Sequence, residues 1–160
     1  MKKLIIIILS VILFATTACA SENRSSKSSD KRDFSKMKMK IKIEITSENG
    51  SHTLTATLAD NSSAHAFYKL LQKESVTIDM HDYGSFEKVG SLPSSLPRND
   101  TQITTESGDI ILYQGNQITI YYDTNSWNFT RLGRVDGVTK SELKQILGKE
   151  NVTAVFSIMK

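Results

Sequence analysis

Cysteine is scarce in this chain: Cys19 is the single one, so no disulfide can form within it. Histidine is nearly as scarce. His52, His65 and His81 fall on a predicted strand, helix and strand, none with a second ligand at metal spacing, so no metal site is expected. No serine stands in a nucleophile elbow and no thiol is available for catalysis, which leaves a nucleophilic hydrolase without support. The segment 133–137, Gly-Arg-Val-Asp-Gly, lacks the spacing and the lysine of a phosphate loop, and no cofactor is expected. There is no internal repeat. Nor is there an excess of charge where it would matter. The formal +3 contains Lys2 and Lys3 and a net +2 in residues 20–36, which leaves residues 37–160 with thirteen basic and fourteen acidic side chains. A near-neutral domain offers nucleic acid no electrostatic footprint.

The apolar run Leu4–Phe14 is too short to span a bilayer, which takes about 20 residues. It follows the positive start Met1-Lys2-Lys3 and precedes the small residues Ala15-Thr16-Thr17-Ala18, the layout of an export signal. With Cys19 next, the segment resembles the bacterial lipobox, although Thr16 stands where Leu is most frequent. The resemblance implies a signal peptide over 1–18 and a lipoprotein lipidated at Cys19. Acyl chains of the palmitate kind would then tie it to a membrane of the bacterial cell envelope, with the domain outside the cytoplasm. Residues 21–32 carry no aliphatic or aromatic side chain and cannot bury enough surface to offset their ordering entropy, so 19–36 reads as lipidated cysteine plus flexible tether.

One domain is left, residues 37–160. Met37, Met39, Ile41, Ile43 and Ile45 alternate with Lys and Glu, a half-buried strand. Asn49-Gly50 turns it into a second strand carrying Leu54, Ala56 and Leu58. Asn61-Ser62-Ser63 can cap a helix over 62–73, and Val76, Ile78 and Met80 resume alternation. Residues 83–108 read as a long irregular segment broken by Gly84, Gly90, Pro93, Pro97 and Gly108. Strands follow at Ile110–Tyr113, Ile118–Tyr122 and Phe129–Val135. Thr139 and Glu142 form a capping box for a helix with Leu143, Ile146 and Leu147 inward, stopped by Gly148. Val152, Ala154, Phe156 and Ile158 make the last strand. Seven or eight short strands and two short helices predict an all-β barrel with two capping helices.

Six segments in order carry a further likeness: His52–Asn61; Asp82-Tyr83-Gly84 leading to Glu87-Lys88; Leu92–Pro97; Gly108–Tyr113; Phe129–Arg134; and Asn151–Phe156. Together they resemble the bacterial cyclophilin-like domain family over nearly all of 39–158. The resemblance implies a closed β-barrel capped by two helices and no established enzymatic activity. True cyclophilins are prolyl isomerases, but their Phe-His-Arg and Phe-Met-x-Gln-Gly-Gly segments have no counterpart here. Arg131 is the one substitute for their arginine, and it lies in a different motif.

Asp82, Glu87 and Asp109 would suit acid–base work if two shared a pocket; turn capping is the plainer assignment. Aromatics are more suggestive, because Tyr83, Phe86, Tyr113, Tyr121, Tyr122, Trp127 and Phe129 cluster in sequence. Tyr113 and Tyr122 read as core. Trp127 sits in a polar Asn-Ser-Trp-Asn stretch that reads as a loop, either lining a shallow site near Arg131 or capping the barrel mouth. The expectation is a membrane-anchored, non-catalytic barrel that binds a small ligand or peptide through Tyr83, Glu87, Leu96, Trp127, Thr130 and Arg131. A divergent prolyl isomerase and an envelope structural or interaction module are the alternatives.

Overall fold

A computed structural model describes residues 38–159. The segments read from sequence as signal and tether, with Cys19, lie outside the described residues. Nine strands and two helices follow one another as β1 (Lys40–Ser47), β2 (Gly50–Leu58), α1 (Ser62–Lys73), β3 (Val76–Tyr83), β4 (Glu87–Ser91) and β5 (Thr101–Thr104). They continue with β6 (Asp109–Tyr113), β7 (Gln117–Tyr121), β8 (Ser126–Val135), α2 (Lys140–Leu147) and β9 (Val152–Ile158). Neighbouring strands run β2-β1-β9-β3-β4-β7-β6-β8, all antiparallel, and β8 returns to β2 through Ala56 opposite Val135 and Leu58 opposite Gly133. The eight strands therefore close into a barrel, which removes free sheet edges. β5 is extra, pairing with the first part of β8.

The alternation in β1 and β2 does what a half-buried strand requires. Ile41, Ile43 and Ile45 are fully buried, and the two strands face each other across the two-residue turn Glu48-Asn49, with Gly50 at φ +102°. Asn61 caps α1 by accepting the Ala64 N–H at 2.9 Å, and the capping box of α2 forms as read, with Thr139 and Glu142 satisfying each other's backbone N–H. Each helix lays its apolar stripe into the core: Ala64, Phe67 and Leu71 from α1, Leu143 and Leu147 from α2. The Phe67 and Phe156 rings meet edge to face at 5.8 Å.

Two sequence readings differ from the structure. The segment 83–108 is not one long loop, since β4 and β5 lie within it. β4 has too mixed a composition to alternate: Glu87, Lys88, Val89 and Gly90 are all buried, Lys88 and Gly90 towards the barrel interior and Glu87 and Val89 in the wall of a groove on the outer face. Trp127 is likewise not in a loop. β8 begins at Ser126, and Trp127 pairs with Ile103 of β5, a partner no local pattern announces.

β8 also carries one extra residue. Ile110 opposes Gly133 while Ile111 opposes Arg131, which leaves Leu132 unpaired as a bulge. Leu132 and Val135 both reach the core although three residues apart, and an unbulged strand would turn them to opposite faces.

Candidate functional site

Side chains on β6 and β7 divide between two clusters. Ile110, Leu112, Ile118 and Ile120 point into the barrel, so Ile111, Tyr113, Gln117, Thr119 and Tyr121 occupy its outer face. There Ile111, Tyr121 and Phe129 form a second apolar cluster, with Phe86, Ile103 and Tyr113 packed against it. Rings run across this face in unbroken contact. Tyr83 meets Phe86 edge to face at 5.9 Å, Phe86 stacks on Tyr121 at 6.0 Å, Tyr121 meets Phe129 at 5.8 Å, and Phe129 meets Tyr113 at 6.3 Å.

A groove of about 380 Å³ opens over this surface. β3 contributes His81 and Tyr83, β4 Glu87 and Val89, β7 Gln117, Thr119 and Tyr121, and β6 and β8 Tyr113, Trp127 and Phe129. Tyr83 and Trp127 are 59% and 60% exposed, unusual for rings of this size, and both line it. The rim at Tyr83 is set by a tight β3–β4 turn in which Gly84 and Ser85 take φ +60° and +58°. A Cβ on Gly84 would stand 2.2 Å from the Phe86 ring, so glycine is what lets that ring fold back onto Tyr121.

Glu87 is the carboxylate of the groove. Only 7% of it is exposed, and its Oε2 has no hydrogen-bond partner among the described residues. Thr119 Oγ1, diagonally across the β4–β7 pair, is also buried without a partner. Burial pushes the Glu87 carboxyl up from the ordinary glutamate value, and the Asp82 charge adds to this. The Tyr121 and Thr119 hydroxyls nearby pull the other way without overcoming it. Burial and the adjoining Glu87 push the Tyr121 phenol well above its usual range.

Of the residues singled out from sequence, Tyr83, Glu87 and Trp127 share this groove, while Leu96, Thr130 and Arg131 do not line it. Leu96 packs against the main core, its N–H on the Gly115 carbonyl at 2.7 Å. Thr130 is fully buried and pins the segment before β5: its Oγ1 accepts the Asn99 N–H at 2.8 Å and donates to Asp100. Arg131 turns to Asp109, its guanidinium 2.8 Å from Oδ2. That same oxygen accepts the Glu106 N–H at 2.9 Å, so Asp109 both braces its turn and holds Arg131. Tyr122 is core as read, whereas Tyr113 lies half-buried at the groove. Sequence reasoning passed over Val89, Gln117, Thr119 and Asn125, weighed His81 only as a metal ligand, and named Tyr121 and Phe129 among the clustered aromatics without placing them in the pocket. The alternation Gln117, Thr119, Tyr121 between buried isoleucines was a legible sign of a second, polar-aromatic face.

On the inward face of β4, Lys88 is fully buried. Its Nζ donates to Asp82 Oδ1 at 2.9 Å and to the Glu150 carbonyl at 2.7 Å, and lies 6.0 Å from the centre of the Tyr122 ring. Tyr122 donates to the same Asp82 oxygen. Burial works to raise the Asp82 carboxyl, but these hydrogen bonds and the lysine charge outweigh it and hold it below the usual range. This network knits one part of the barrel and is separate from the groove. Among the described residues no group of three His, Cys, Asp or Glu could hold a metal ion, and no helix is long and apolar enough to cross a membrane.

The profile of the cyclophilin-like family matches residues 47–157. The chain belongs to the cyclophilin-like family. No curated protein matches it. Among solved structures, a hypothetical protein from Archaeoglobus fulgidus superposes with a TM-score of 0.55 at 13% identity, over 76% of this chain and 95% of that one. That likeness speaks to the fold. Fold alone does not imply function, which has to be argued from the site.

Proposed function

We propose that this cyclophilin-like chain is a lipid-anchored protein of the bacterial envelope whose barrel binds a small ligand or short peptide, without catalysis, in the outer-face groove. One observation carries the binding: two exposed rings, Tyr83 and Trp127, border a cavity also lined by Glu87 and Thr119, whose buried Oε2 and Oγ1 have no hydrogen-bond partner among the described residues. Buried polar atoms are nearly always satisfied, and those left open in an accessible cavity suit a ligand. The volume falls at the lower end of about 300–1,000 Å³ for such sites. Anchoring rests on the sequence of residues 1–19, a signal ending at the lone cysteine. With Arg131 held by Asp109 outside the groove, prolyl isomerisation gains no observation in its favour.

Trp127 is the only tryptophan, so its emission reports on the groove alone. Titration with a panel of short peptides and metabolites is expected to shift that emission for at least one class. A flat response across the panel counts against binding. Anchoring is read by incorporation of an alkyne-bearing palmitate analogue in a bacterial host, which Cys19→Ser should abolish; equal labelling of the variant would refute it.

A further inference from the structure

The chemistry of the groove narrows its ligand, and this step rests on the binding reading above. Among the described residues Glu87 Oε2 and Thr119 Oγ1, at diagonal positions of paired strands, make no hydrogen bond of normal geometry, although the Thr119 and Tyr121 hydroxyls stand near enough to act on the carboxylate. A carboxylate can only accept, and a hydroxyl can accept as well as donate. A ligand group with several N–H donors satisfies both at once. Charge points the same way. No lysine or arginine lines the groove, and His81, the one lining residue that can carry positive charge, makes no ion pair with Glu87 among the described residues. Lys88, next in sequence, faces the opposite side of β4 and is committed to Asp82 and the Glu150 carbonyl. An anionic head would meet the carboxylate directly, and a neutral one would leave its charge uncompensated in a dry setting.

The walls complete the case. Tyr83, Tyr113, Tyr121, Phe129 and Trp127 offer ring faces and edges around the carboxylate. Aromatic faces attract cations, and the same rings take an apolar body. We propose that the groove binds an organic ammonium, its N–H donors on Glu87 and Thr119 and its apolar body between Tyr83 and Trp127. A free amine and a lysine side chain share this chemistry.

The test uses purified full-length chain and matched probes of similar shape: benzylammonium, benzyl alcohol and benzyltrimethylammonium. Affinity is read from Trp127 emission, and the site from amide shifts of Val89 and Thr119. Benzylammonium is expected to bind about tenfold more tightly than benzyl alcohol, a factor worth about 1.4 kcal/mol. Glu87→Gln should bring that ratio close to one. Benzyltrimethylammonium, which has the charge but no N–H, should bind more weakly than benzylammonium. Equal binding of the amine and the alcohol overturns the ammonium assignment but leaves the groove a binding site, a result that needs no folded variant. Benzyltrimethylammonium binding as tightly as benzylammonium overturns the donor contact. If no probe perturbs Trp127 or the amides, the binding reading falls with the assignment. Nα-acetyl-lysine methylamide separates the sources: tighter binding than benzylammonium identifies a lysine side chain, weaker binding a free amine.

Discussion

Asp82→Ala isolates the most heavily committed charge in the barrel. Lys88 is fully buried, and the substitution strips it of one of two hydrogen-bond partners and of its counter-charge, leaving the Glu150 carbonyl. It also orphans the hydroxyl of Tyr122, a residue only 3% exposed. Removing one partner of a buried ion pair costs about 3–5 kcal/mol, because the remaining charge is left uncompensated. A quarter of the Asp82 side chain is exposed, so water can enter beside it, which places the cost near the lower bound of about 3 kcal/mol. Equilibrium urea unfolding reads this directly. With m of about 1–3 kcal/mol/M unchanged, the midpoint should fall by about 1 M or more. The double variant Asp82→Ala with Lys88→Met removes the stranded charge and should be more stable than Asp82→Ala alone. A single-variant loss below about 1 kcal/mol, typical of a solvated pair, would refute the reasoning. So would strict additivity in the double variant.

Three further outcomes follow from the same structure. Gly133→Ala places a Cβ 2.5 Å from the Thr57 carbonyl oxygen and 2.9 Å from Leu58 Cα, backbone that cannot swing aside. The seam where β8 closes onto β2 should lose about 1–3 kcal/mol, with faster amide exchange at Thr57 and Leu58; unchanged exchange and midpoint would contradict the close approach. Because Glu87 holds its proton above the ordinary value of 4.5, the folded state binds more protons than the unfolded one just above that pH. Stability should therefore fall as pH rises from there through the raised value. Asp82 acts in the opposite sense and lower, its contribution being present above 3.8 and lost as pH drops through its depressed value. Glu87→Gln should remove the upper slope and leave the lower one, as measured by urea midpoints across the range. Thr130→Val leaves the Asn99 N–H without its acceptor and takes the Thr130 donor from Asp100 Oδ1, Arg98 still holding Oδ2, at a cost of about 1–3 kcal/mol. Limited proteolysis should then cut first in residues 92–100.

Much of the barrel was legible because its elements announce themselves locally. Ile41, Ile43 and Ile45 alternate, Asn49-Gly50 permits the turn, Asn61 and Thr139 supply caps, and each is decided within a few residues. β4 and β5 were not legible for the complementary reason. Glu87-Lys88-Val89-Gly90 is buried through a counter-charge on β3, a carbonyl near β9 and a groove on the far side, none of them near it in sequence. Gly90 is there because a Cβ would stand 2.4 Å from Ile78 of β3, a reason visible only across the sheet.

The candidate site divides in the same way. Tyr83, Glu87 and Trp127 were singled out for aromaticity and charge, and the barrel gathers them on one outer face. Leu96, Thr130 and Arg131 were singled out alongside them and are held elsewhere, by the core, by Asn99 and Asp100, and by Asp109. Residue type and alternation by themselves determined the number of caps, most of the strands and the barrel class. These depend on periodicity and turn chemistry, which act over neighbours. Which aromatic rings meet, which carboxylate finds a cation and which is left open were decided by tertiary structure alone. Those outcomes depend on strand register and barrel closure, and a register is set by every strand of the ring together.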